Sequence, residues 1–337
     1  MPAVRAALVT PLSGSLAGYG RATATALQLW AERFAGPDPV RLEVVDTHPD
    51  APAAVRRAER DRPDLLFGPY GSRPAAEVAA ATSRLVWNHS GARIRARDNI
   101  VSVLAPARTY FTGALDAVRH ADPQVRRVGV LHATTGFSRS VAEGAAEAAA
   151  QRGLHTDSAV LPAGPPQADV LLVAGRFEDE LPVVRNLTRD RWQAIGAVAA
   201  GVQEILAELG SRCEGLLGPA QWMPEAAPHP DEGPPAPDFV AAYRARTGND
   251  PPYPAAQAFA AGVIAMRCLR EAGTARDAAL LAAARRLDCT TLFGRFRLDT
   301  AGRQVGHRVL TVQWQEETRA VVWPPEVARA SLRYPLR

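Results

Sequence analysis

The sequence predicts an α/β protein of two Rossmann-like lobes, each built on a mainly parallel sheet flanked by helices. Three observations carry that expectation. Short apolar runs alternate with amphipathic segments through the first third of the chain, and the alternation starts afresh near residue 128. The chain has 337 residues, too many for one ordinary core and enough for two. Residues 224–237, PEAAPHPDEGPPAP, form a proline-rich loop that separates the second series from a block of helices.

In the first series, residues 5–10 are apolar and strand-like and run into the turn residues Pro11, Ser13 and Gly14. Ala24, Leu27, Trp30, Ala31 and Phe34 recur at helical spacing, which predicts a helix over 20–34. Residues 41–45 read as a strand, 52–60 as a helix rich in Ala and Arg, 65–68 as a short buried strand, and 74–83 as a helix opened by proline. Strands at 85–88 and 100–103 complete that sheet. In the second series, strands at 128–132, 170–174, 195–199 and 215–218 alternate with helices at 138–152 and 178–188. Ser138 is placed as an N-cap, and acids fill the first turn of the second helix. Helical patterns follow at 238–246, 255–272 and 275–286, and the chain ends on antiparallel-looking strands at 294–298, 308–315 and 319–323.

Composition excludes several function classes. The hydrophobic fraction is 47% and the charged fraction 22%, ordinary values for a folded globular chain. The net charge is +4, yet all 39 basic residues are arginine and none clusters into a run of five or six, which argues against nucleic acid as a partner. A chain without lysine has no ammonium nucleophile, no Schiff-base site and no phosphate-loop lysine. Cys213, Cys268 and Cys289 stand far apart, so they imply buried free thiols and no zinc site. The start, MPAVRAALVTPLSG, lacks the apolar run of a secretory signal, and no stretch approaches the ~20 apolar residues of a membrane span. The expected location is therefore cytoplasmic, unless an export signal has been removed.

Four regions, in order, carry a family resemblance: ALVTPLSGSLAGYG (7–20); LLFGPYGSRPAAEVA (65–79) with LVWNHSGA (85–92); VGVLHATTGFSRSVAEG (128–144); and YPAAQAFAAGVIAMRCLREAG (253–273) with GRFRLDTAGRQ (294–304). Together they resemble the class I periplasmic binding proteins of the branched-chain amino acid type. The resemblance implies two lobes joined by three hinge crossovers, near 105–107, 219–222 and 292–294. The first lobe is then 1–107 plus 223–292, and the second 108–222 plus 293–337. It implies a small polar ligand held between the lobes, an ABC permease as partner, no cofactor, and a monomer or weak dimer. A cytoplasmic sensor of the same fold is the alternative.

Carried over position by position, the family's first-lobe contacts fall on Tyr19, on Tyr70, Gly71 and Ser72, and on Ser90 and Ala92 with Asn88 beside them. Second-lobe contacts fall on Phe137, on Arg176 with Phe177 beside it, and on Gly201, with Trp222 at a crossing. The acid that holds an ammonium in amino-acid binders falls on Ala200, and a family hydroxyl falls on Ala92. Arg176 then predicts a ligand without a free α-amine, a small carboxylate or a neutral polar amide. His89 reads as a structural histidine.

Enzyme readings find little support. GFSRS at 136–140 lacks the second glycine of a nucleophile elbow. The seven histidines are scattered without metal spacing, and Gly14, Gly18 and Gly20 are wrongly spaced for a dinucleotide fingerprint.

Overall fold

The computed structural model describes residues 3–94, 97 and 99–336. It divides into two compact units: one runs to Ala105 and includes Ala227–Arg308, and the other comprises Pro106–Ala226 and the chain from Val309 onward.

The chain begins in the first unit with β1 (Val4–Thr10), α1 (Ala17–Leu29), β2 (Val40–Asp46), α2 (Ala51–Ala58), β3 (Leu65–Phe67), α3 (Ser72–Ala81), β4 (Val86–Asn88) and β5 (Ile100–Ser102). The second unit follows with α4 (Thr112–Ala121), β6 (Arg127–His132), α5 (Gly136–Gln151), β7 (His155–Val160), β8 (Val170–Ala174), α6 (Phe177–Asn186), β9 (Ala194–Ala197), α7 (Gln203–Leu206) and β10 (Leu217–Ala220). The chain returns to the first unit for α8 (Ala236–Thr247), α9 (Tyr253–Ala272), α10 (Asp277–Arg286), β11 (Asp288–Thr291) and β12 (Gly294–Arg297). It finishes in the second with β13 (Leu310–Gln315) and β14 (Thr318–Trp323).

The first unit's sheet has the order β2-β1-β3-β4-β5 and is parallel throughout. The second unit's sheet has the order β14-β13-β10-β9-β8-β6-β7. Its strands β10 to β7 are parallel, and β13 and β14 add an antiparallel edge. Strands buried on both faces must be apolar throughout, and β3, β8 and β9 are buried at every residue.

Helix α9 is buried along most of its length because its small residues let α1 approach closely. A side chain at Gly262 would collide with the fully buried Trp30 ring, so glycine there is the room that Trp30 occupies. The helical pattern of 20–34 resolves into α1 followed by one widened turn, Trp30–Phe34, with π-type bonding. The three cysteines are buried thiols.

Four elements escaped the sequence reading, the one-turn helix α7 among them. Strand β7 is a sheet edge with no fully buried residue, so it carries no continuous apolar run. Helix α4 packs Ala114, Leu115, Ala117 and Val118, a short stripe in which half of the residues are alanine. Strand β11 pairs with β12 in a separate two-stranded sheet, which corrects the grouping of 294–298 with the last strands.

That hairpin also moves the expected lobe boundary. Residues 293–308 belong with the first unit and not the second. Gln304 is buried and donates through Nε2 to the Val103 carbonyl at 3.0 Å, and Phe293 stacks on His307 at 4.1 Å.

The glycines of the first loop make a test of this packing. A Cβ on Gly20 would stand 1.7 Å from the Pro11 carbonyl oxygen, whereas one on Gly18 would meet nothing within 4 Å. Gly20→Ala should cost about 1–3 kcal/mol through overpacking against a backbone that cannot yield. Gly18→Ala should be neutral, or gain up to about 1 kcal/mol of helix propensity. Urea unfolding of both variants checks this; equal stability of Gly20→Ala and the parent would refute the close approach of α1 to the Pro11 turn.

Candidate functional site

The strand orders locate the candidate faces. In the first sheet the order turns back between β1 and β3. In the second, the run β7-β6-β8-β9-β10 repeats the same order and turns back between β6 and β8. At such a switch point, loops leave the carboxyl ends of neighbouring strands in opposite directions and open a crevice lined by helix N-termini. Each unit therefore has one such face.

In the first unit, Tyr19 near the start of α1 is half-buried and stacks on Tyr70, with ring centroids 4.6 Å apart and planes 18° apart. Tyr70, in the loop after β3, shares a 2.6 Å hydroxyl–hydroxyl bond with Tyr253 at the start of α9. Gly71 precedes α3 with φ of 96°, a left-handed conformation that favours glycine. Ser72 Oγ accepts from the Arg93 amide at 3.3 Å and so ties the loop after β3 to the loop after β4.

In that second loop, Asn88 is committed to its own turn. Its Oδ1 accepts from the Gly91 amide at 2.8 Å, and its Nδ2 donates to the Gly91 carbonyl and to Ser102 Oγ. Ser90 Oγ donates to Gln257 Oε1 at 2.9 Å and lies 3.0 Å from His89 Nδ1. Ala92 is buried. His89 is wholly buried, and desolvation lowers its pKa to about 4 against a smaller opposing effect of the Gly68 backbone, so the ring is neutral.

In the second unit, Thr135 caps α5 by accepting from the Ser138 amide at 3.1 Å, which moves the predicted N-cap back from Ser138. Phe137 is half-buried and meets Tyr110 edge-on at 5.7 Å. Burial pushes the Tyr110 hydroxyl up to about 12, with Gln221 as its hydrogen-bond partner.

Arg176 stands as the N-cap of α6, and its guanidinium is engaged by that helix's own acids: Asp179 at 3.1 Å and Glu178 at 3.0 Å. Phe177 packs against the core. Gly201 is buried where its turn crosses β10; a Cβ there would stand 1.9 Å from the Pro219 carbonyl oxygen. Ala200 is fully buried and gives its carbonyl to Trp314 Nε1 at 2.9 Å, and Trp222 is buried just beyond β10. Thus Tyr19, Tyr70, Ser72 and Ser90 gather on one face of the first unit. Asn88 and Gly201 serve the backbone around them.

Three residues outside the sequence reading help to build these faces. Gln257 is the one amide side chain of α9 and stands in its alanine-rich, buried first half. Tyr253 begins the same helix one turn earlier. Glu180 is wholly buried, and its two oxygens accept from the amides of Gly175 and Ala199, each at 2.6 Å. It thereby joins the loops after β8 and β9. Burial outweighs those amide bonds and raises its pKa to about 8. Only its burial distinguishes it from Glu178 and Asp179, and no sequence pattern shows that.

A separate hollow of about 540 Å³ lies at the opposite, amino-terminal end of the first sheet, between Arg5, Arg41, Glu43 and Asp61. Among the described residues no group of His, Cys, Asp or Glu has the arrangement to hold a metal ion, and no helix is long and apolar enough to cross a membrane.

The sequence profile of the periplasmic binding protein family matches residues 3–319. Among solved structures, a putative branched-chain amino acid ABC transporter from Silicibacter pomeroyi superposes with a TM-score of 0.81 at 14% identity, covering 99% of each chain. A leucine binding protein from Thermotoga maritima MSB8 gives a TM-score of 0.74 at 18% identity, covering 94% of this chain and 97% of its own. A solute binding protein of an ABC transporter from R. palustris, in complex with benzoate, gives 0.72 at 15% identity and 95% of each chain. At these identities the likeness is one of fold.

His89 gives the site a pH signature. Its folded pKa of about 4 lies below the ordinary 6.5, so the unfolded chain binds more protons between those values. The stability it contributes is complete above pH 6.5 and is lost as pH falls towards 4, on the order of 3 kcal/mol at about 1.4 kcal/mol per tenfold in proton affinity. Urea unfolding of the parent and His89→Asn across that range checks it. Parallel pH curves for the two proteins would contradict a buried neutral His89.

Proposed function

We propose that this chain, which belongs to the periplasmic binding protein family, is a small-molecule receptor that serves as the solute-binding component of an ABC importer. The observation that carries the reading is the repeated switch point. Both units have the same strand order, and both direct short polar loops and helix N-termini to the carboxyl ends of their strands. The first unit adds a tyrosine-walled surface at that edge, suited to covering the apolar body of a small ligand.

In this reading the ligand binds between the two faces and the units close on it about their crossovers. It touches Tyr19, Tyr70, Gly71, Ser72 and Ser90 on one side, with Ala92 behind them, and Phe137, Phe177 and the Arg176 loop on the other. Solved relatives of this fold carry leucine, isoleucine or benzoate in their names. For this chain the position of the family's acid is the fully buried Ala200. An ammonium taken from water without an acid partner is costly, so the ligand we propose lacks a free α-amine.

The chemistry ends at binding. A metabolite that raises the melting temperature should come back unchanged by mass spectrometry after long incubation with the protein. Turnover that scales with protein concentration would make the chain an enzyme. The same metabolite should reduce the radius of gyration in small-angle scattering, because each unit supplies contacts completed only on closure. An unchanged radius on saturation would reject the hinge.

A further inference from the structure

The first unit's sheet ends on a strand whose outer side is open. β2 is the last strand of that sheet and pairs with β1 in unbroken register from Val40 to Asp46. The Val4 amide donates to the Pro39 carbonyl, and the Thr47 amide to the Thr10 carbonyl. At the period of two, the odd-numbered residues of β2 therefore turn their backbone groups towards β1. Val40, Leu42 and Val44 turn theirs outward, and among the described residues no loop bonds them.

Folded chains usually blunt such an edge by shortening or bulging it, or by placing proline or lysine on it. β2 is seven residues long and has neither bulge nor proline. Its charges near the middle are one of each sign, Arg41 and Glu43, both exposed and without an ion-pair partner among the described residues. Arg5, in register with Arg41 on β1, is already engaged by the Asp61 carbonyl at 3.0 Å. The edges of the other sheet differ. On β7, Asp157 is bound to Arg127 at 2.6 Å, and on β14, Arg319 bonds Gln203 at 3.2 Å.

Charge then selects both an occupant and a register. A second copy lying antiparallel along β2 forms hydrogen-bonded pairs only between outward-facing residues, the even-numbered ones. Pairing Val40 with Leu42 sets Arg41 against Arg41, and pairing Leu42 with Val44 sets Glu43 against Glu43. Pairing Leu42 with Leu42 sets Arg41 of each copy against Glu43 of the other, and Val40 against Val44. That register also aligns the half-buried side chains of Val40, Leu42 and Val44 on the other face of the joined sheet.

We infer that the free edge of β2 is a dimerisation surface, occupied by β2 of a second copy that runs antiparallel and is centred on Leu42. The two five-stranded sheets become one continuous sheet across a twofold axis. The centre lies in the amino-terminal half of β2, beside the hollow around Arg5 and Arg41 and away from the carboxyl-edge loops. Association and ligand binding thus use different parts of the sheet.

Sedimentation velocity of the whole chain, from about 1 to 100 µM, tests it. The parent should shift from monomer to dimer with concentration. Arg41→Glu and Glu43→Arg should each weaken association about tenfold or more, because the twofold axis doubles every change of sign. The double exchange, Arg41→Glu with Glu43→Arg, should restore the dimer to within about threefold of the parent. Melting curves establish that all the variants are folded. A parent that stays monomeric throughout, a dimer that neither single exchange weakens, or a double exchange that fails to restore it would overturn the assignment.

Discussion

A parallel sheet has one physical consequence that governs the rest of this protein. Its strands all point the same way, so every loop that follows a strand emerges at the same edge, and every helix that follows starts there. That edge collects unpaired backbone amides and the positive ends of helices. Where the strand order turns back, between β1 and β3 in one unit and between β6 and β8 in the other, two such loops diverge and leave space. The chain meets this constraint twice with the same order of five strands, and the residues of interest gather at those two edges. The hollow around Arg5 and Arg41 lies at the other end of the strands.

Loops at a binding edge must be held in shape, and here buried polar side chains hold them. Glu180 joins two loops of the second unit through the amides of Gly175 and Ala199. Ser72 joins two loops of the first through the Arg93 amide. Asn88 closes its own turn, and the His89–Ser90–Gln257 chain ties the next loop to α9. Such groups are costly to bury unless fully bonded. Burial shifts the carboxyl of Glu180 up to about 8 and the imidazole of His89 down to about 4, each towards its neutral form.

The fold was legible because its signals are periodic. Apolar runs at β1, β3 and β8 and the helical stripe ending in Trp30 and Phe34 needed no tertiary information. What escaped lacked such periodicity: β7 is an exposed edge strand, and the β11–β12 hairpin is tied to the first unit by Gln304, a contact with Val103 two hundred residues away in sequence. The candidate site was legible in part. The short polar loops marked the carboxyl ends of the strands as the edges to examine, and two of the expected contacts, Tyr19 and Tyr70, stack on one another there. Arg176 was legible as a cation but not as one neutralised by Glu178 and Asp179, because pairing depends on rotamers as well as spacing. Gly201 is glycine because the β10 backbone crosses it, a steric reason that sequence alone does not distinguish from ligand approach.

The central claim is that one small molecule engages the carboxyl edges of both sheets. Hydrogen–deuterium exchange, with and without a metabolite that raises the melting temperature, tests it most directly. The account predicts simultaneous protection of the loops at 68–72 and 89–92 in the first unit and at 133–138 and 175–177 in the second. Protection confined to one unit, or centred on the amino-terminal end of β1 and β2 around Arg5 and Arg41, would contradict it.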